Sequence, residues 1–120
     1  MEINEKYTEI LKLRQMLCKA GIPHTLSRMY DGWQIIYFCG KEQVADVVQH
    51  GFSYGAEKDM LELQGLLKPK EMEVDDVVGY LSANEVFKRI EKDFLQKTKN
   101  KSMRDKNIKK ITKDIKKNQK

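Results

Sequence analysis

The sequence predicts an α+β domain of order α-β-β-β-α-α, a three-stranded antiparallel sheet packed with helices, followed by a basic C-terminal tail or helix. Three observations carry this prediction. An apolar stripe at helical spacing opens the chain, β-branched and aromatic runs separated by turn signals follow it, and a Ser-x-x-Glu capping signal heads a later amphipathic stretch. A chain of 120 residues is the size of one ordinary core.

The first helix is expected over residues 4–20, because Tyr7, Ile10, Leu13 and Leu17 recur at i, i+3 and i+4. Gly21 and Pro23 stop it. Strands are expected at His24–Tyr30, Trp33–Cys39 and Gln43–His50, with Asp31-Gly32 as a two-residue hairpin turn and Gly40-Lys41 as a weaker one. That first turn pairs Tyr30 with Trp33, Arg28 with Ile35 and Leu26 with Tyr37, all on a core-facing side. A second helix is expected over Ala56–Leu67, where Met60, Leu61, Leu63, Leu66 and Leu67 are apolar, ended by Pro69. Residues 68–76 then form a charged connection. Ser82-Ala83-Asn84-Glu85 caps a third helix whose apolar face is Val86, Phe87, Ile90 and Phe94.

The net charge of +5 averages two unlike segments. Residues 97–120 contain eleven of the 23 basic residues and only Asp105 and Asp114 of the 18 acidic ones, a local +9 that leaves the first 96 residues at −4. The chain therefore divides into an acidic α+β domain, 1–96, and a lysine-rich tail, 97–120, disordered or helical. Ile108, Ile111 and Ile115 lie at helical spacing within the tail, but three isoleucines bury little and the lysines repel one another. Lys99, Lys101, Arg104, Lys106, Lys109, Lys110, Lys113, Lys116 and Lys117 are the expected contacts for a partner or for RNA or DNA, whose phosphates they would neutralise. No apolar run approaches membrane-spanning length, and the mean hydropathy is −0.67, so a membrane partner is not expected and a cytoplasmic location is. Too few large apolar residues oppose the lysines for a membrane-surface helix.

Catalytic chemistry has little to stand on. His24 and His50 are the only histidines, and a Ser53–His50–Asp59 set has no spacing that enforces it. His24, Cys39 and His50 make an incomplete metal set, and Cys18 and Cys39 fit no zinc spacing and read as reduced, partly buried thiols. No cofactor and no metal are expected. The loop Gly51–Gly55 resembles a phosphate cradle, but Glu57 and Asp59 would repel an anion there; Ser53 reads as a local cap, with Phe52 or Tyr54 packed inward. Trp33, His50, Ser53 and Tyr54 stand as a candidate ligand loop, the basis of a nucleotide-sequestering alternative.

Three stretches carry a resemblance: 32–37 (GWQIIY), 53–62 with 65–67 (SYGAEKDMLE and GLL), and 78–90 (VGYLSANEVFKRI). Over about residues 7–94 the chain is similar to small accessory proteins of phages and prophages of Gram-positive bacteria. The resemblance implies a non-enzymatic binding protein, with a counter-defence inhibitor of the anti-CRISPR kind as the leading form and a host defence protein or ribonucleoprotein as its partner. A nucleic-acid-binding regulator led by the tail is the alternative, and an oligomer is compatible with either. The element order also resembles the double-stranded-RNA-binding domain, but Ala56-Glu57-Lys58-Asp59 replaces the lysine patch that binds phosphate there.

Overall fold

A computed structural model of the chain describes residues 6–118, with side chains as far as Lys101. Its elements are α1 (Glu9–Ala20), β1 (His24–Met29), β2 (Gly32–Cys39), β3 (Glu42–Gln49), a 3₁₀ turn at Ala56–Lys58, β4 (Leu61–Gln64), α2 (Pro69–Met72), β5 (Val77–Leu81) and α3 (Ala83–Asn118). The strands form one antiparallel sheet in the order β1-β2-β3-β4-β5, and α1 and α3 pack on each other and on one face of it. The α+β class stands. The sheet has five strands rather than three, so the α-β-β-β-α-α order is corrected.

The error lies between residues 56 and 81. Leu61 and Leu63 flank Glu62, so a helix would set the two leucines about 200° apart. A strand puts both on the core side, where both are fully buried, and that burial stabilises by roughly 3–6 kcal/mol against a helix-propensity difference of a few tenths per residue. Backbone turns enforce the break: Asp59 has φ 53° and Leu66 φ 55°, which no helix contains. Pro69 does not end a helix but begins α2, at the first helical position. Val77 and Val78, unassigned in the sequence, open the fifth strand.

The first hairpin differs in register. Met29 pairs with Gly32, Arg28 with Trp33, Leu26 with Ile35 and His24 with Tyr37, so the turn is Tyr30-Asp31. The positive φ falls on Tyr30, at 53°. Gly32 is needed for a different reason: a Cβ there would sit 1.9 Å from the carbonyl oxygen of Gln49 on the next strand. Shifting each pair by two residues keeps the paired strand residues on their predicted faces, whereas Tyr30 leaves the strand for the turn. Ile35 and Tyr37 accordingly lie in the core with Ala45, Val47, Leu61, Leu63 and Leu81, under Ile10, Leu13 and Leu17 of α1 and Val86 and Ile90 of α3. The outer face is half-exposed and includes Ile36, Val48 and a Gln34–Asp46 pair, with Gln34 Nε2 donating to both carboxylate oxygens at 2.9 Å.

Helix termini are closed from a distance. The Asp59 carboxylate accepts the backbone N–H of Thr8 at 2.8 Å and of Glu9 at 3.3 Å, together with the Thr8 hydroxyl. Gln49, fully buried, accepts the Ile10 N–H at 3.0 Å and donates to Asp59 at 2.6 Å. At the start of α3, Ser82 Oγ accepts the Glu85 N–H at 3.2 Å, the predicted cap, while Glu9 accepts the Ala83 N–H at 3.1 Å. The charge boundary at residues 96 and 97 falls inside α3.

Candidate binding surfaces

The loop that follows β3 is built around Ser53. Its Oγ donates to the His50 carbonyl at 2.9 Å and accepts the His50 N–H at 3.0 Å, while His50 Nδ1 accepts the Phe52 N–H at 3.0 Å. The Ser53 hydroxyl is thus bonded to the backbone of His50 and not to its ring, and Asp59 is committed to α1. Those bonds do not make a Ser–His–Asp relay. His50 and Ser53 are buried, Trp33 is half-buried with the Arg28 guanidinium 4.3 Å from its ring, and Tyr54 is exposed. Trp33 belongs to β2, whereas the Tyr54 side chain lies against Gly79 of β5, where an added Cβ would come within 2.3 Å of it. Three strand spacings, ~14 Å, separate β2 from β5, so these two rings do not form one ligand clamp.

The expectation that Phe52 or Tyr54 packs inward is corrected. Phe52 is 80% exposed, and together with Tyr30, 72% exposed, it surrounds His50 in an aromatic cluster with ring centroids 4.9 to 6.1 Å apart. A turn at Asp31-Gly32 would keep Tyr30 in the strand on the core-facing side; the observed turn, one residue earlier, carries it out to solvent. The loop does not enter an α-helix either, so the phosphate-cradle geometry is absent.

Electrostatics tie this end together. The Tyr7 hydroxyl donates to Asp31 Oδ2 at 2.6 Å, and the Gly51 N–H donates to Oδ1 at 2.7 Å. The hydrogen bond to Asp31, with burial and the adjacent negative charge, pushes the Tyr7 phenol up to about 12. The Asp31 carboxyl is held below its usual range, first by the Tyr7 hydroxyl and then by the Gly51 N–H. Burial pushes the Tyr37 phenol up, and its 2.8 Å bond to Asp93 adds to the shift.

His24 starts β1 opposite Tyr37, with Nδ1 2.8 Å from the Ile22 carbonyl and Nε2 3.7 Å from Cys18 Sγ. His50 follows Gln49, which pairs with Trp33 at the other end of the hairpin, so the two histidines do not meet. Cys18 is exposed, in contrast to the partly buried thiol expected, and Cys39 is half-buried; both are free. Among the described residues no three His, Cys, Asp or Glu side chains converge on a metal-sized space.

The second surface is the basic end of α3. Val86 and Ile90 anchor the helix in the core, Phe87 and Phe94 are half-buried, and Lys97 reaches back to Asp93 at 3.2 Å. Lys99 and Lys101 are exposed. The side chains of Arg104, Lys106, Lys109, Lys110, Lys113, Lys116 and Lys117 lie outside the described residues, although the helical backbone runs through all seven positions. No helix among the described residues is long and apolar enough to cross a membrane. Comparison with known proteins finds no matching family model, no matching curated protein and no matching solved structure.

Proposed function

We propose that this chain is a non-enzymatic binding protein of the phage accessory kind, acting in the cytoplasm of the bacterial host as a counter-defence inhibitor that engages a nuclease complex. The observation that carries the reading is α3: a helix fixed in the core by Val86 and Ile90 continues into the lysine-rich segment, attaching a +9 stretch to a −4 body as one element. Opposite charge on the two segments suits a ribonucleoprotein partner, whose basic groove and guide RNA present complementary surfaces to body and helix. The hydrogen bonds of His50 and Ser53 within their own loop also favour binding over catalysis. Affinity capture from host lysate, with and without nuclease treatment, tests it. A defence nuclease retained after nuclease treatment and inhibited by the pure protein is the expected result; no retained nuclease, or retention without inhibition, rejects the reading.

Direct binding of RNA or DNA by the basic helix is the second reading, favoured by the exposure of Lys99 and Lys101. It predicts an affinity for bare oligonucleotide that falls with salt at a log–log slope near −0.9 per phosphate contacted on duplex DNA. Changing Lys99, Lys101, Arg104 and Lys106 to Gln would lower that slope by up to about four contacts. A flat salt response removes this reading.

A further inference from the structure

The strand order leaves β1 and β5 as the edges of the sheet. They are treated differently. The Tyr80 N–H of β5 reaches the Tyr54 carbonyl at 3.4 Å, and α2 packs beside the strand. At β1, Pro23 O accepts the Phe38 N–H at 3.2 Å, which fixes the phase of the ladder. Bonded pairs alternate along an antiparallel pair, so Thr25, Ser27 and Met29 exchange bonds with Ile36, Gln34 and Gly32. The N–H and C=O groups of His24, Leu26 and Arg28 therefore point to the open edge, where no hydrogen bond to them occurs among the described residues.

Edges exposed in this way are normally blunted by lysine, an interior proline, a bulge or a covering element. Within β1 there is no lysine, no proline and no bulge, and its one permanent charge, Arg28, stacks on Trp33 of the adjacent strand. The strand is also complementary to itself. Turned about a two-fold axis through Leu26, it sets Leu26 against Leu26, Thr25 against Ser27 and His24 against Arg28. The bonded positions in that arrangement are the three residues whose backbone groups are open, giving about six hydrogen bonds. Thr25 and Ser27, both exposed, fall at the close non-bonded pairs, where hydroxyl side chains pair well.

We infer that β1 is a homodimer edge: two copies join antiparallel through residues 24–28 into one continuous ten-stranded sheet. A two-fold isologous contact needs one self-complementary patch, and this strand provides it. A foreign strand would gain the same backbone bonds but not the Leu26 and Thr25–Ser27 matches. The inference is independent of which partner the basic helix serves.

Sedimentation equilibrium of the full chain from about 1 to 300 μM tests it, with three proteins compared. The unaltered chain is expected to dimerise within that range. Thr25→Lys with Ser27→Lys places introduced lysines opposite one another across the axis and should weaken the dimer at least tenfold. Thr25→Glu with Ser27→Lys makes each cross-strand pair acid against base and should restore affinity to within a few-fold of the original. Both positions are exposed, so the variants should keep the parent's melting transition, which is measured alongside. A chain monomeric at 300 μM overturns the inference. A dilysine variant that dimerises like the parent overturns the choice of edge, and a Glu/Lys variant as weak as the dilysine one overturns the register.

Discussion

Replacing Gln49 with Leu removes the side chain that joins β3 to the first turn of α1. The two side chains are close in volume, so the loss is polar rather than steric. The Ile10 N–H, now bonded to Gln49 Oε1 at 3.0 Å in a buried setting, loses its acceptor, at a cost of about 1–3 kcal/mol. Asp59 loses its 2.6 Å donor but keeps the Thr8 and Glu9 bonds, so this part costs about 1.5 kcal/mol, the low end for a charged acceptor. The gain from an apolar side chain at a fully buried site offsets about 1 kcal/mol. The net expectation is a loss of about 1.5–3.5 kcal/mol, seen in urea as a lower midpoint with an unchanged slope. A double-mutant cycle with Asp59→Ala, which removes the acceptor, isolates the pair and should give a coupling of about 0.5–2 kcal/mol. A Gln49→Leu loss under about 0.5 kcal/mol, or zero coupling, would refute the role assigned to Gln49.

Further predictions concern the charged and strained groups. Glu71 is bonded by both guanidinium nitrogens of Arg89, at 2.8 and 2.9 Å, and that bond, working against burial, holds its carboxyl at about 2. Its stabilisation is complete above the unfolded value near 4.3 and is lost as pH falls toward 2, so Arg89→Met should flatten the acid limb of stability against pH, read by urea titrations between pH 7 and 2. Burial tends to raise the Asp59 carboxyl, but bonds from Thr8 and Gln49 and the backbone N–H groups of Thr8 and Glu9 outweigh it; the net lowering adds stability above pH ~4, which Asp59→Asn should remove from the same acid limb. Tyr7→Phe should let the Asp31 carboxyl rise toward its usual range, followed by carbon-detected NMR titration; an unmoved Asp31 would contradict the bond. Tyr30→Asn relieves a left-handed conformation at an exposed ring and should stabilise by about 0.5–1 kcal/mol in thermal melts, whereas a clear loss would show that its contacts with His50 and Phe52 outweigh the strain.

Legibility in the sequence followed how local the signal was. α1, the first three strands and the start of α3 rest on signals within a few residues: the 3.6 period of Ile10, Leu13 and Leu17, the two-residue turns and the Ser82 cap. β4 failed because four residues give two alternations, and leucine-rich composition pointed the other way. β5 failed because Val77-Val78 precedes Gly79, which reads as a loop until the Tyr54 side chain is seen lying against it. At the candidate surfaces, the lysines were visible from composition alone. The aromatic cluster was not, since its members come from two turns 20 residues apart and depend on a turn register shifted by one position. Asp59 was legible as a carboxylate near a helix start; that the helix is α1 rather than its own follows only from tertiary structure.

The distant closure of the helix ends bears on how the chain assembles. The first turn of α1 is completed by residues 39 to 51 positions downstream, and that of α3 by one 74 positions upstream. Ser82 supplies only part of the cap on α3, and α1 has no side-chain cap of its own, so an N-terminal fragment emerging during synthesis lacks the groups that finish its helix. Such long-range closure favours slow, all-or-none folding over stepwise growth from one end. It also ties the acidic body and the base of the lysine helix into a single folding unit, in which a break at residue 59 would be felt at residue 8.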